Sequence, residues 1–100
     1  MAEYELDICD YIKKRRPEDI LVDVRDKIAF GHGSISGAIN IPVDKIQDLY
    51  RLPMDRKIYV FCQIGEFSLQ VAQLLRDAGY EAYHLTGGYI KYLKELFKED

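Results

Sequence analysis

Ile58-Tyr-Val-Phe-Cys62-Gln-Ile-Gly65-Glu-Phe-Ser68 passes from one kind of secondary structure to another around a single cysteine. Ile58 to Phe61 is an unbroken β-branched and aromatic run, which reads as a buried strand. From Ser68 the spacing turns helical, with Leu69, Ala72, Leu74 and Leu75 apolar. The hydroxyl of Ser68 is expected to cap the new helix. Cys62 then faces the open amides of a turn and the positive end of a helix dipole. Both favour an anion, and so thiolate over thiol.

The same alternation extends in both directions. Asp7 is a helix N-cap with Asp10 in the first turn, and the helix runs to about Arg15, where Pro17 stops it. Ile20 to Val24 is a buried strand. Gly31 to Gly37 holds three glycines and two serines and reads as a loop. Ala38 to Ile41 is a short strand ended by Pro42. Val43 to Tyr50 is a short helix with Val43, Ile46, Leu49 and Tyr50 as its apolar stripe. Lys57 to Phe61 is a strand, Ser68 to Ala78 a helix closed by Gly79, and Glu81 to Leu85 a strand. Gly87-Gly88 turns into a last helix, Tyr89 to Phe97, with Ile90, Leu93, Leu96 and Phe97 directed inward. Strands alternating with helices mean an α/β fold, a mostly parallel sheet with helices on both faces. Reactive sites in such sheets lie at the carboxyl ends of the strands. Cys62, Asp23-Val-Arg25, Asn40-Ile-Pro42 and Thr86-Gly-Gly88 are expected at that one edge.

A chain of 100 residues is read as one domain, and its 48% hydrophobic and 31% charged residues are those of a globular protein. No apolar run approaches the roughly 20 residues that cross a bilayer, and the acidic start does not resemble a signal peptide. No membrane partner is expected. A net charge of -3 argues against nucleic acid as the main partner. The basic cluster Lys13-Lys14-Arg15-Arg16 reads as the solvated end of a helix. Two cysteines, Cys9 and Cys62, form neither a disulfide framework nor a zinc site, which fits a reducing cytoplasm. Cys9 reads as core packing. His32 reads as a loop residue and His84 as a strand-surface residue. Tyr80, Tyr83, Tyr89 and Tyr92 read as packing and rim residues.

Four blocks, in order, resemble single rhodanese-like (sulfurtransferase) domains over almost the full length. Leu21-Val-Asp-Val-Arg25 is similar to the family's D-V-R strand end. Ser34-Ile-Ser-Gly-Ala-Ile-Asn-Ile-Pro42 is similar to its H-I-x-G-A-x-N-I-P segment. Tyr59-Val-Phe-Cys-Gln-Ile-Gly65 is similar to the strand entering its cysteine loop, and Leu85-Thr-Gly-Gly-Tyr89 to its L-x-G-G turn. The resemblance implies a five-stranded parallel sheet and a Cys62 that carries sulfane sulfur as a persulfide. It implies a sulfane-sulfur donor and a thiol acceptor, small molecule or protein, and no metal or other cofactor. The loop Gln63, Ile64, Gly65, Glu66, Phe67 and Ser68 would cradle the charged sulfur, with Gly65 giving the tight approach and Phe67 an apolar wall. The Cys-Gln-Ile-Gly form looks most like rhodanese domains of coenzyme A-disulfide reductase-type flavoproteins, so a fused or associated flavoprotein belongs to the expectation.

Two departures stand out. The loop lacks the family's arginine, and Ser34 replaces the histidine before I-x-G-A. Two unit charges about 6 Å apart interact by roughly 3 kcal/mol at an effective dielectric of about 20, so an inward Glu66 would cancel the helix effect. An outward Glu66 is expected, since a buried unpaired carboxylate is costly. Asp23 and Arg25 have two readings: a structural pair at the sheet edge, or Arg25 lining the pocket and supplying its positive charge. A rhodanese-like binding or regulatory module with weak catalysis, part of a larger pyridine nucleotide-disulfide oxidoreductase, is the alternative. A phosphatase or arsenate reductase would need an arginine where Ser68 stands.

Overall fold

The computed structural model describes residues 3–98. Five strands form one parallel sheet: β1 (Glu5–Asp7), β2 (Ile20–Asp23), β3 (Ile39–Asn40), β4 (Ile58–Phe61) and β5 (Ala82–Thr86). Their order across the sheet is β1-β5-β4-β2-β3. The helices are α1 (Ile8–Lys14), α2 (Lys27–His32), α3 (Ser68–Asp77) and α4 (Gly88–Leu96), with a kinked 3-10 helix at Val43–Arg51. The chain leaves β2 for one edge, then returns across β2 to start β4. The carboxyl ends of β2 and β4 therefore flank the point where strand order reverses, the place where such sheets open a crevice.

Strand alternation divides the core in two. Ile20, Val22, Ile58 and Val60 face Val71 and Leu75 of α3 and Leu49 of the 3-10 helix. Leu21, Phe61 and Leu85 face Ile8 and Tyr11 of α1, with Tyr89 and Tyr92 of α4 alongside. Asp7 caps α1 as expected, its carboxylate accepting from the Cys9 and Asp10 amides. Gly79 follows α3 at φ +98°, and its amide reaches the Arg76 carbonyl.

Several elements differ from the sequence reading. The triplet Glu5-Leu-Asp7 is a strand, pairing with His84–Thr86 at the sheet edge. Lys27–His32 is a helix, capped by Asp26 through the Ala29 amide, so Gly31 and His32 belong to it rather than to a loop. Val43 and Tyr50 are exposed, and only Leu49 of the 3-10 helix is buried. Leu96 and Phe97 were expected inward but are 59% and 76% exposed, because nothing among the described residues covers the last turn of α4. Phe97→Ser should therefore change stability by less than about 0.5 kcal/mol. Leu85→Ala, at a fully buried position, should cost about 2–5 kcal/mol. Chemical denaturation of both variants measures the contrast.

Candidate active site

Cys62 follows β4 directly and lies at the entrance to α3. Its sulfur accepts the amide hydrogens of Gly65 and Ser68, each at 3.2 Å. The Ser68 amide is the first of α3, so the sulfur occupies the N-terminal end of a ten-residue helix. Such amides stabilise negative charge on the atom they surround. Cys62 is 4% exposed. The sulfur thus meets the main-chain hydrogens expected of it, at the floor of its loop rather than at the surface.

The loop's opposite side is held by α4. The Tyr89 and Ile90 amides donate to the carbonyls of Cys62 and Gln63 at 2.8 and 3.0 Å. These are amides of the first helical turn, which lack partners inside their own helix. The contact requires glycine at position 88. Gly88 has φ +68°, and a Cβ there would lie 2.5 Å from the Gln63 carbonyl oxygen and 2.8 Å from that of Cys62. Gly65, at φ +96°, turns the loop beside Gly87, whose amide nitrogen would be 3.1 Å from an added Cβ. Gln63, Ile64 and Glu66 are exposed on the rim, so Glu66 points outward. Phe67 is half-buried and packs against the α3-side core.

Ser68 does not cap α3 with its side chain. Phe67 occupies the N-cap without a side-chain hydrogen bond. The buried Ser68 Oγ instead lies 3.4 Å from the Cys62 sulfur and 2.8 Å from His84 Nδ1. His84 is not on the strand surface: it is 4% exposed. On β5 it shares the α3 face with Ala82, and β5 is an interior strand between β1 and β4. Burial holds the imidazole below its ordinary pKa, against a smaller upward pull from Glu5.

Asp23 and Arg25 come together beside the loop. Both are buried, and the guanidinium donates to both Asp23 carboxylate oxygens from Nε and at 2.8 Å from Nη2. Nη2 also reaches the Gly33 carbonyl, Nη1 reaches Gln63 Oε1 at 3.4 Å, and the group stacks on Tyr89. Asp23 further accepts from the Arg25 amide and the Ser34 hydroxyl. Asn40 ties the segment to β3 through the Asp23 and Arg25 carbonyls. Arg25 is thus at the loop, with its charge already opposed by Asp23. His32 is exposed at the end of α2, and its side chain is not among the groups that bond Asp23 or Arg25. Beside the loop a groove of about 1260 Å³ opens between α2 and the 3-10 helix, with Ile28, Phe30, Val43, Lys27, Lys45 and Phe67 in its walls; Cys62 does not line it. Among the described residues no group of histidine, cysteine or carboxylate side chains has the arrangement of a metal site, and no helix is long and apolar enough to cross a membrane.

Comparison with known proteins agrees with this architecture. The family model described as Rhodanese-like domain matches residues 9–95. The tRNA sulfurtransferase of Desulfurococcus amylolyticus is 33% identical over 81 residues, covering 81% of this chain and 16% of that protein. Human single-domain sulfurtransferase TSTD1 superposes with a TM-score of 0.76 at 27% identity, covering 99% of this chain and all of that one. Reduced Bacillus anthracis CoADR-RHD gives a TM-score of 0.71 at 34% identity, covering 85% of this chain and 15% of that chain. This chain spans less than a third of the length of the first curated relatives it matches.

Two measurements check the geometry. Gly88→Ala should destabilise by at least the 1–2 kcal/mol or so of a left-handed non-glycine residue, with the clash added, and should loosen the cysteine loop in hydrogen exchange. His84 stays neutral in the native state at pH values where the unfolded chain protonates it. Stability should be full above about pH 6.5 and fall as the pH drops below it, toward the lowered native value. Thermal melts should show this decline flattened in His84→Asn. The chain belongs to the rhodanese-like domain family.

Proposed function

We propose that the chain is a sulfurtransferase or persulfide carrier, with residues 1–100 forming one rhodanese-like domain and Cys62 as its nucleophile. The observation that carries this reading is the pair of amide hydrogens, from Gly65 and Ser68, aimed at the Cys62 sulfur. The thiolate attacks the outer sulfur of a donor; the donor leaves as its own thiolate or sulfinate, and Cys62 becomes a persulfide. An acceptor thiolate then attacks that outer sulfur and releases Cys62 as thiolate. Each step forms one bond to sulfur and breaks one, and no net oxidant is consumed.

The depth of Cys62 fits this role. A persulfide carries its outer sulfur about 2.0 Å beyond the cysteine sulfur, into the loop whose rim Gln63, Ile64 and Glu66 form. Gly65 and Ser68 stabilise the charge, Phe67 packs the loop base, and Asp23 and Arg25 fix the neighbouring strand end. Relatives named sulfurtransferase support the reaction class. The likeness to Bacillus anthracis CoADR-RHD supports a larger flavin disulfide reductase as a fused or associated partner.

The loop contributes no cation, and Arg25 is neutralised by Asp23. Dianionic thiosulfate is therefore a poor donor, and small or protein-bound persulfides are better ones. The second reading is a binding or regulatory module with little catalysis, favoured by the absence of arginine from the loop and by Glu66 within it.

Mass spectrometry after incubation with a persulfide donor should show one added sulfur atom, absent in Cys62→Ser. Turnover with thiosulfate should be lower than with a persulfide donor by roughly tenfold or more, the value of one charge-assisted hydrogen bond. No adduct from any donor would favour the binding module, and brisk thiosulfate turnover would overturn the donor preference.

A further inference from the structure

One hydroxyl stands between a buried imidazole and the nucleophile. Ser68 Oγ lies 2.8 Å from His84 Nδ1 and 3.4 Å from the Cys62 sulfur. A hydroxyl has one hydrogen to donate. With Cys62 as a thiol, the S–H donates to Oγ and the hydroxyl donates to Nδ1. With Cys62 as a thiolate, the hydroxyl hydrogen is needed at the sulfur. Oγ must then accept from Nδ1–H. The charge on sulfur and the tautomer of His84 are joined through one oxygen.

We infer that His84 is a positioning residue for the nucleophile: by donating Nδ1–H to Ser68, it directs the Ser68 hydroxyl onto the Cys62 thiolate as a third donor. Resting on Cys62 acting as a thiolate, this goes beyond the two amides that a rhodanese-like loop supplies by itself. The change of state balances as a proton shift. The thiol proton passes to Oγ, the hydroxyl proton to Nδ1, and the Nε2 proton of the imidazole to water. One proton is released, no electrons move, and the sulfur is left as thiolate.

The surroundings keep the imidazole neutral while this occurs. Glu5 is its register partner on β1, Val60 its partner on β4. From α3 it meets Ser68, while Arg76 of the same helix donates to the Ala82 carbonyl and stacks on Tyr4 and Tyr83. Burial outweighs the pull of Glu5, so the imidazolium is disfavoured and the linkage is one of tautomers.

The test is alkylation of Cys62 by iodoacetamide across pH, read by peptide mass so that Cys9 is resolved separately. It needs no sulfur donor, so it can fail or succeed independently of persulfide transfer. Ser68→Ala and His84→Leu should each slow Cys62 alkylation at neutral pH by roughly tenfold, the effect of losing a hydrogen bond to a charged group. His84→Asn, whose amide can donate from near the Nδ1 position, should stay within about threefold of the parent. In a Ser68→Ala background, His84→Leu should add less than about twofold. Nitrogen-15 NMR of the parent protein should show the Nδ1–H tautomer growing as Cys62 loses its proton. A folded His84→Leu with the parent's rate at every pH overturns the inference. So does an equal effect of His84→Leu with and without Ser68. Should His84→Leu not fold, an Nε2–H tautomer persisting through the Cys62 titration overturns it equally.

Discussion

The carbonyls of Cys62 and Gln63 accept the Tyr89 and Ile90 amides of α4, and this contact fixes the direction of the first two peptides of the cysteine loop. A peptide group whose carbonyl turns outward leaves later amides free to turn inward. Here those amides, from Gly65 and Ser68, meet at one sulfur. Two helix N-termini therefore serve one loop: α4 grips its back, and α3 supplies charge stabilisation at its floor. The approach is close enough that Gly88 is dictated by sterics, since a methyl there would lie 2.5 Å from the Gln63 carbonyl oxygen.

The electrostatics follow the same economy. A buried carboxylate with one guanidinium around it is satisfied, and breaking such a pair costs about 3–5 kcal/mol. Asp23 and Arg25 use that strength to fix the end of β2 against Gly33, Ser34 and Gln63. The cost is a site without a mobile cation near the sulfur. On the proposed function, a loop of this kind suits sulfane sulfur delivered on a thiol, as a persulfide, better than sulfane sulfur carried on an oxyanion.

Much of this was legible in the residues. The β-branched run Ile58–Phe61, the shift to helical spacing after Ser68 and the four ordered blocks were enough for an α/β sheet with Cys62 at its carboxyl edge. Asp23 and Arg25 were recognised, but their two readings separate only when the carboxylate is seen to accept from Nε and Nη2 along one edge of the guanidinium. The three-residue β1 and six-residue α2 are too short for periodicity to register, although Asp26 was a readable cap. His84 reads as a strand-surface residue in the sequence, yet its side chain lies on the face of β5 that α3 covers, against Ser68, and is buried. Ser68 was misread for a related reason: local propensity favours a serine at a helix start as a cap, while the tertiary partners Cys62 and His84 claim its hydroxyl.

The account rests on a sulfur that takes up a second sulfur without leaving its ring of amides. A crystal structure of the protein treated with a persulfide donor tests this most directly. The prediction is new density on Cys62, with the terminal sulfur in hydrogen-bond contact with loop amides and Cys9 unchanged. Density on Cys9 alone, or a Cys62 adduct turned away from the Gly65 and Ser68 amides, would contradict it.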